Sequence, residues 1–279
     1  MADAAWDLIN MSNIVNSLYN IRLLDDISKR ETFIHNIHPL AKLLTTAVYL
    51  AVVVSFDRYE LIGLFPFVFY PVIIFMLAEL PVVAILKRIL YVEPFIIGIG
   101  ILNPLFDHQT VLFGGVAMSR GWITFFDIFI KCGLTVTVSM IFIATTGINK
   151  MGAALRMLRV PKIFVLQLLL TYRYISVLTE ELSGMLTAYS LRAPGQKGIG
   201  INAWGSFAGQ LLLRTFDRAQ RVYEAMNLRG FSGEYNAGII PKAGFWDFAY
   251  LIGWSLFFIS ARIYNLPMLL GQLITGVVK

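Results

Sequence analysis

The sequence predicts an all-α polytopic membrane protein, with about five transmembrane helices and a cytoplasmic block of amphipathic helices. Three observations lead there. Of 279 residues, 57% are hydrophobic and only 14% charged, with a mean hydropathy of +0.70, which is too apolar for a soluble domain. The apolar residues fall into runs long enough to cross a bilayer. The net charge of +6 is also uneven: residues 148–243 hold 12 Lys/Arg against 5 Asp/Glu, and the rest of the chain holds 11 against 12. A basic block beside membrane helices marks the cytoplasmic side and anionic headgroups, not nucleic acid.

Residues 1–39 mix Trp6, Ile9 and Leu18 with charges at Asp25, Asp26, Lys29 and Arg30, and read as an interfacial N-terminal arm. The first apolar run begins near Leu40, too late for a typical cleaved signal peptide, so insertion is expected to rely on the mature helices. Leu40 to Phe56 reaches the lower limit for spanning a core about 30 Å thick. Asp57-Arg58 makes a short turn, and Tyr59 to Leu80 returns despite Pro66 and Pro71. Pro81 to Pro94, with Lys87 and Arg88 among aliphatics, reads as an interfacial helix. Phe95 to Phe106 is then a short third span, Asp107 to Arg120 a polar loop, and Trp122 to Thr146 the fourth span. Asp127 and Lys131 stand four apart within it, on one helix face, and read as a local ion pair turned toward protein. The single Cys132 permits neither an intrachain disulfide nor a Cys-based metal site and reads as a small buried thiol.

After Thr146 the character changes. Ile148 to Leu158 reads as a short basic amphipathic helix stopped at Val160-Pro161. Pro161 to Tyr189 follows with an apolar stripe at Phe164, Leu168, Ile175, Leu178, Leu182, Met185 and Tyr189. Its first half is apolar enough to be mistaken for a span. If it stays out of the membrane, an N-in arrangement places 18 basic residues in the cytoplasm; if it crosses, the later Arg-rich helix becomes extracellular. The expected count is therefore four spans in 40–146, a cytoplasmic block over 147–243, and a last span with its tail over 244–279. Leu191 to Gly205 is a Gly- and Pro-punctuated loop. A helix resumes to Leu228, with Trp204, Ala208, Leu212, Thr215, Ala219, Val222, Tyr223 and Met226 on one arc. Arg214, Asp217, Arg218, Arg221 and Glu224 lie on the other, where Asp217 and Arg221 have the spacing of an ion pair. One face is expected to pack and the other to show. Gly230 and Gly233 supply the stop. Phe245 to Arg262 is the final span.

The chain lacks GxxxxGK[ST], GxSxG and HExxH, so ATP hydrolysis or hydrolytic chemistry of its own is not expected, and no cofactor is implied. His35 and His38 are three apart, but only Glu31 lies nearby to complete a metal site, so they read as structural. Glu180-Glu181 point about 100° apart on a helix and read as a solvated edge.

Two Leu-Arg-small triplets close the two amphipathic helices: Leu191-Arg192-Ala193 and Leu228-Arg229-Gly230. Each would present a guanidinium with five donors in a fixed fork, suited to a protein groove. The second in its setting, FDRAQRVYEAMNLRGFSG, resembles the coupling motif of the T subunits of energy-coupling-factor (ECF) transporters, closest to the cobalt-transport branch, CbiQ. IHNIHPLAKLLTTAVYLAVVVSF, Ile34 to Phe56, resembles that family's entry into its first membrane helix. The resemblance covers most of Glu31 to Ile263, although vitamin-type triplets usually begin with Ala.

The resemblance implies a non-catalytic subunit in a bacterial inner membrane, with N-terminus and coupling helices cytoplasmic. It implies that Leu191, Arg192, Ala193, Leu228, Arg229 and Gly230 contact two ATP-binding-cassette ATPase subunits, with Arg214, Arg218 and Arg221 as a supporting face. A separate substrate-binding membrane subunit, with or without a small accessory membrane subunit, would hold the ion, so no metal is expected on this chain. A vitamin-type T subunit, a membrane transferase holding a phosphate-bearing lipid, and a self-sufficient ion carrier are the competing readings.

Overall fold

The computed structural model describes residues 27–28, 30, 32–57, 60–107, 110–113, 116–192, 201–233 and 243–264. Most of the N-terminal arm, Ala193 with the loop that follows it, and the C-terminal tail lie outside the described residues. In order the elements are α1 (Phe33–Asn36), α2 (Pro39–Val54), a 3-10 segment (Leu61–Val68), α3 (Phe69–Leu77), α4 (Val82–Gly100), α5 (Leu102–Phe106), β1 (Thr110–Phe113), β2 (Val116–Ser119), α6 (Arg120–Met157), α7 (Lys162–Arg192), α8 (Ile201–Leu228) and α9 (Phe245–Tyr264). The fold is that of an all-α membrane protein, with one small antiparallel hairpin pairing Thr110 with Ser119 and Phe113 with Val116. Among the described residues, 85–106, 120–157 and 162–192 are long and apolar enough to cross a membrane, and Pro39–Val54 and Leu61–Leu77 are shorter apolar helices. By length and composition, then, α7 qualifies, whereas α9, the expected last span, is not among the helices that do.

The chain divides into two compact units, Ile27–Gly147 with Ile240–Lys279, and one containing Ile148–Ile239. In the first, α2 begins at Pro39, whose missing N–H costs nothing at a helix start. His38 is its N-cap: Nδ1 accepts from Leu40 N at 3.2 Å, and its own N–H donates to Asp247 Oδ1 at 2.7 Å. His35 Nδ1 lies 2.7 Å from Thr32 Oγ1. The core is aromatic. Tyr49 is fully buried among Tyr70, Phe67 and Phe258, with ring centroids 5.1 to 5.9 Å apart, and Tyr70 meets Trp254 edge-on at 4.8 Å. The buried hydroxyls find partners, Tyr49 on Phe67 O at 3.1 Å and Tyr70 on Tyr250 Oη at 2.9 Å.

Cations from other segments satisfy the orphan carbonyls at helix C-termini, where the helix dipole is negative. Lys42, buried within α2, donates to Thr145 O at 2.9 Å. Lys131 donates to Phe56 O and to Asp127 Oδ2, both at 2.8 Å, so the expected intrahelical pair forms and faces protein. Arg262 reaches Ser55 O at 3.2 Å and Glu60 Oε2 at 2.7 Å, with its guanidinium 4.4 Å over the Phe56 ring.

Two expectations change here. Pro94 does not divide an interfacial helix from a span: α4 runs through it from Val82 to Gly100. Proline removes one intrahelical bond, which bends a membrane helix without ending it. Residues 107–120, expected as a loop, include β1 and β2, with Gly114-Gly115 between them in sequence. Two β-prone runs on either side of a Gly pair are a hairpin signal that the loop reading passed over.

The change of character expected after Thr146 falls on a break inside α6. Gly147 has φ 70°, ψ 157°, a region essentially reserved for glycine. A Cβ there would lie 2.6 Å from Ser28 Oγ. The boundary between the two units falls immediately after it.

Candidate functional site: two arginine-ended helices

In the second unit, the last part of α6 ends at Met157. The residue in the left-handed region is Arg159, φ +63°, with Val160 N bonded to Leu155 O and Arg159 N to Arg156 O. This αL cap turns the chain into Pro161, the expected stop. The start of α7 then packs through Val165 and Leu169, both buried, and a Cβ at Gly152 would touch the Leu169 side chain at 3.0 Å. The expected stripe begins one position off: Phe164 is exposed and Val165 faces inward.

Beyond Leu169, α7 and α8 present facing stripes. Val177, Glu180, Glu181, Gly184, Met185, Ala188, Tyr189 and Arg192 recur at intervals of three and one. Opposite them stand Ala203, Ser206, Phe207, Gln210, Arg214 and Arg218, and a cleft of about 690 Å³ lies between. Arg192 and Ala203 line one end of it, and Arg214 Nη1 donates to Glu181 Oε1 across it, so the helices run antiparallel. Glu181 is thus no solvated edge but half of an interhelical ion pair.

The faces of α8 are the reverse of the sequence expectation. Its charged arc lines the cleft, with Phe207 buried, while Trp204, Leu212 and Tyr223 from the apolar arc are exposed. Periodicity identifies the apolar arc but not what covers it. The spacing also led to an Asp217–Arg221 pair that does not form; Gln220 donates to Glu224 at 3.2 Å instead. Arg218 and Arg221 share a smaller hollow with Leu178, Glu181 and Thr215.

Both arginine triplets sit at helix C-termini. Arg192 is the last residue of α7, and Leu191 before it is 77% exposed. Arg229 follows Leu228, which is 90% exposed, at the end of α8. The turn is a Schellman motif: Gly230 has φ +76°, Phe231 N bonds to Met226 O and Gly230 N to Asn227 O, both at 3.0 Å. With these backbone groups satisfied, the Arg229 side chain is left to project. Arg192, Arg218, Arg221 and Arg229 have no ion-pair partner among the described residues. Because α7 meets the beginning of α8 and Arg229 follows its end, the two triplet arginines stand about one α8 length apart. For 28 residues that is roughly 42 Å. Ala193 lies outside the described residues.

Among the described residues no three His, Cys, Asp or Glu side chains gather. The arrangement offers two separated guanidinium forks on an antiparallel pair of helices.

Comparison with known proteins gives the family. The family model for CbiQ, cobalt transport protein, matches residues 30–238, across both helices and both arginines. An uncharacterized protein of Methanocaldococcus jannaschii, MJ1571, is 24% identical over 231 residues, 78% of each chain. The nickel permease LarQ of Lactiplantibacillus plantarum is 26% identical over 106 residues, 38% of this chain and 39% of its own. The match over three quarters of its length means that the chain belongs to the CbiQ family of cobalt transport proteins.

Proposed function

We propose that this chain is the transmembrane coupling subunit of an ECF importer for cobalt or nickel. It transmits ATP-driven motion from two ABC ATPase subunits to a substrate-binding membrane subunit, and hydrolyses nothing itself. The observation that carries the reading is the pair of exposed arginines at the ends of α7 and α8, about 42 Å apart by helix rise. One groove cannot take both, whereas two ATPase subunits side by side offer one groove each.

In this reading Arg192 and Arg229 enter those grooves, flanked by Leu191, Ala193, Leu228 and Gly230, with Arg218 and Arg221 adding charge. Closure of the ATPase dimer then displaces the helix ends. A lever of this kind needs different contacts in the partner's two states and no catalytic group. The exposed apolar arc of α8, with Leu212 and Tyr223, takes the substrate-binding subunit and lipid. An N-in orientation in the cell membrane puts the basic block in the cytoplasm and keeps α7 on that side despite its apolar first half. The nickel permease named among the relatives favours a metal ion over a vitamin.

The test is co-purification of the ATPase subunits with the wild-type chain, Arg192→Ala, Arg229→Ala and the double variant, scored together with ATP-dependent uptake of radioactive cobalt and nickel. Each single change should abolish uptake, and the double should weaken ATPase retention. Unchanged assembly and uptake in all three would return both residues to ordinary basic helix ends.

A further inference from the structure

The two arms of the proposed lever meet across a cleft that apolar packing does not fill. Its α7 side is lined by Gly184 and Ala188 beside Glu180 and Glu181, and a Cβ on Gly184 would meet nothing within 4 Å. Its α8 side carries Gln210, Arg214 and Arg218 above the buried Phe207. The helices therefore have room to close on one another along this stretch. Across the opening stands Arg214 on Glu181, with side chains 51% and 30% exposed.

From this we infer that Glu181 and Arg214 are a positioning pair that sets the angle between α7 and α8 and is remade in each transport cycle. The inference rests on the reading of these helices as coupling arms. A half-exposed ion pair is weak and screened by salt, so it can open and re-form without a large barrier. Its place along the helix gives it leverage. Arg229 lies 15 residues beyond Arg214, about 22 Å of helix, so a change of roughly 10° at the pair moves the Arg229 end by about 4 Å. Arg192 lies at the cleft's near end, next to the start of α8, and moves less. Breaking the pair should leave both arginines able to dock while loosening the relation between them. ATP would then be hydrolysed without matched transport. Arg218, one turn further on the same stripe, is within the same cleft and offers the alternative cation for Glu181 when the helices slide.

The experiment uses the whole transporter in liposomes, with ATP hydrolysis and radioactive cobalt or nickel uptake measured on the same sample. The variants are Glu181→Gln, Arg214→Lys and the reversed pair Glu181→Arg with Arg214→Glu. Glu181→Gln should keep its ATPase subunits and hydrolyse ATP within about twofold of wild type, while ions carried per ATP fall about fivefold or more. Arg214→Lys and the reversed pair should recover most of that ratio. An unchanged ratio in Glu181→Gln, or a reversed pair no better than Glu181→Gln, would overturn the proposal. Loss of assembly in Glu181→Gln would do so too, by making the pair a folding contact. The parallel Arg192→Ala and Arg229→Ala samples separate the two ideas. If they lose the ATPases while Glu181→Gln couples normally, only the pair is wrong. If they couple normally, the arms themselves are wrong.

Discussion

Replacing Gly147 with alanine tests the break inside α6 most directly. The residue sits at φ 70°, ψ 157°, where an L side chain costs about 1–3 kcal/mol in backbone strain. The added Cβ would also lie 2.6 Å from Ser28 Oγ and 3.0 Å from Ser28 Cβ, and Ser28 is buried, so a second displacement is required. The two together come to about 2–4 kcal/mol. Alanine has an easier alternative in ordinary helical angles. That would run α6 straight through residue 147 and draw Thr145 O away from the Lys42 ammonium 2.9 Å from it. Either route destabilises the first unit. A fluorescence-monitored melt in detergent should show a midpoint lower by on the order of 5–10 °C. Gly184→Ala is the control: it lies inside α7 with open space around its Cβ, and should be neutral or raise the midpoint by a degree or two, as a helical Gly→Ala change does. A Gly147→Ala protein that melts with wild type would refute the account of the break.

Two further outcomes follow from buried and strained cations. Asp127→Leu leaves the Lys131 ammonium without its carboxylate in a segment of low exposure and should cost about 3–5 kcal/mol in the same melt; adding Lys131→Met should recover a large part of that loss, and a double variant as unstable as the sum of the singles would contradict the pairing. Arg159→Gly removes a non-glycine residue from the left-handed region at φ +63° and should stabilise the end of α6 by about 1 kcal/mol, read as a rise of a few degrees; a fall would show that the arginine side chain outweighs its backbone strain.

The sequence made the local punctuation legible. The stop before Pro161, the cap at Gly230 and the Asp127–Lys131 pair each depend on a few neighbouring residues, and each stands where the residues place it. What misled was anything that depended on a distant surface. The apolar arc of α8 was expected to pack and is exposed, because the hydrophobic pattern records that an arc is covered without recording by which chain. In a subunit of a membrane assembly, lipid and neighbouring subunits do part of that covering. Glu181 looked like a solvated edge because its partner Arg214 is 33 residues away. Asp217 and Arg221 had ideal spacing and remain apart, since an exposed four-residue pair gains too little to hold two long side chains in one geometry. The boundary at Pro94 fails because a proline within a membrane helix removes one intrahelical bond without ending the helix.

The same cationic chemistry serves opposite ends in the two units, and the contrast bears on what the basic block is for. In the first unit, Arg30, Lys42, Lys131 and Arg262 each donate to a backbone carbonyl where a helix finishes: Glu79 O, Thr145 O, Phe56 O and Ser55 O. Those carbonyls have no water to turn to in an apolar setting, so each cation is held by what it satisfies. In the other unit, Arg192, Arg218, Arg221 and Arg229 hold no such acceptor among the described residues. The Schellman turn at Gly230 closes the end of α8 with backbone groups alone and leaves Arg229 unused. The first unit caps helix ends with side-chain cations and this end of the second is capped without one, so among the described residues these guanidiniums have no acceptor, which fits the proposal that a partner supplies it. If that acceptor were only lipid phosphate, lysine would serve as well as arginine at all four positions. If it is a carboxylate-bearing groove on an ATPase, Arg192→Lys and Arg229→Lys should lose coupling nearly as fully as alanine, because a point charge cannot reproduce the bidentate fork.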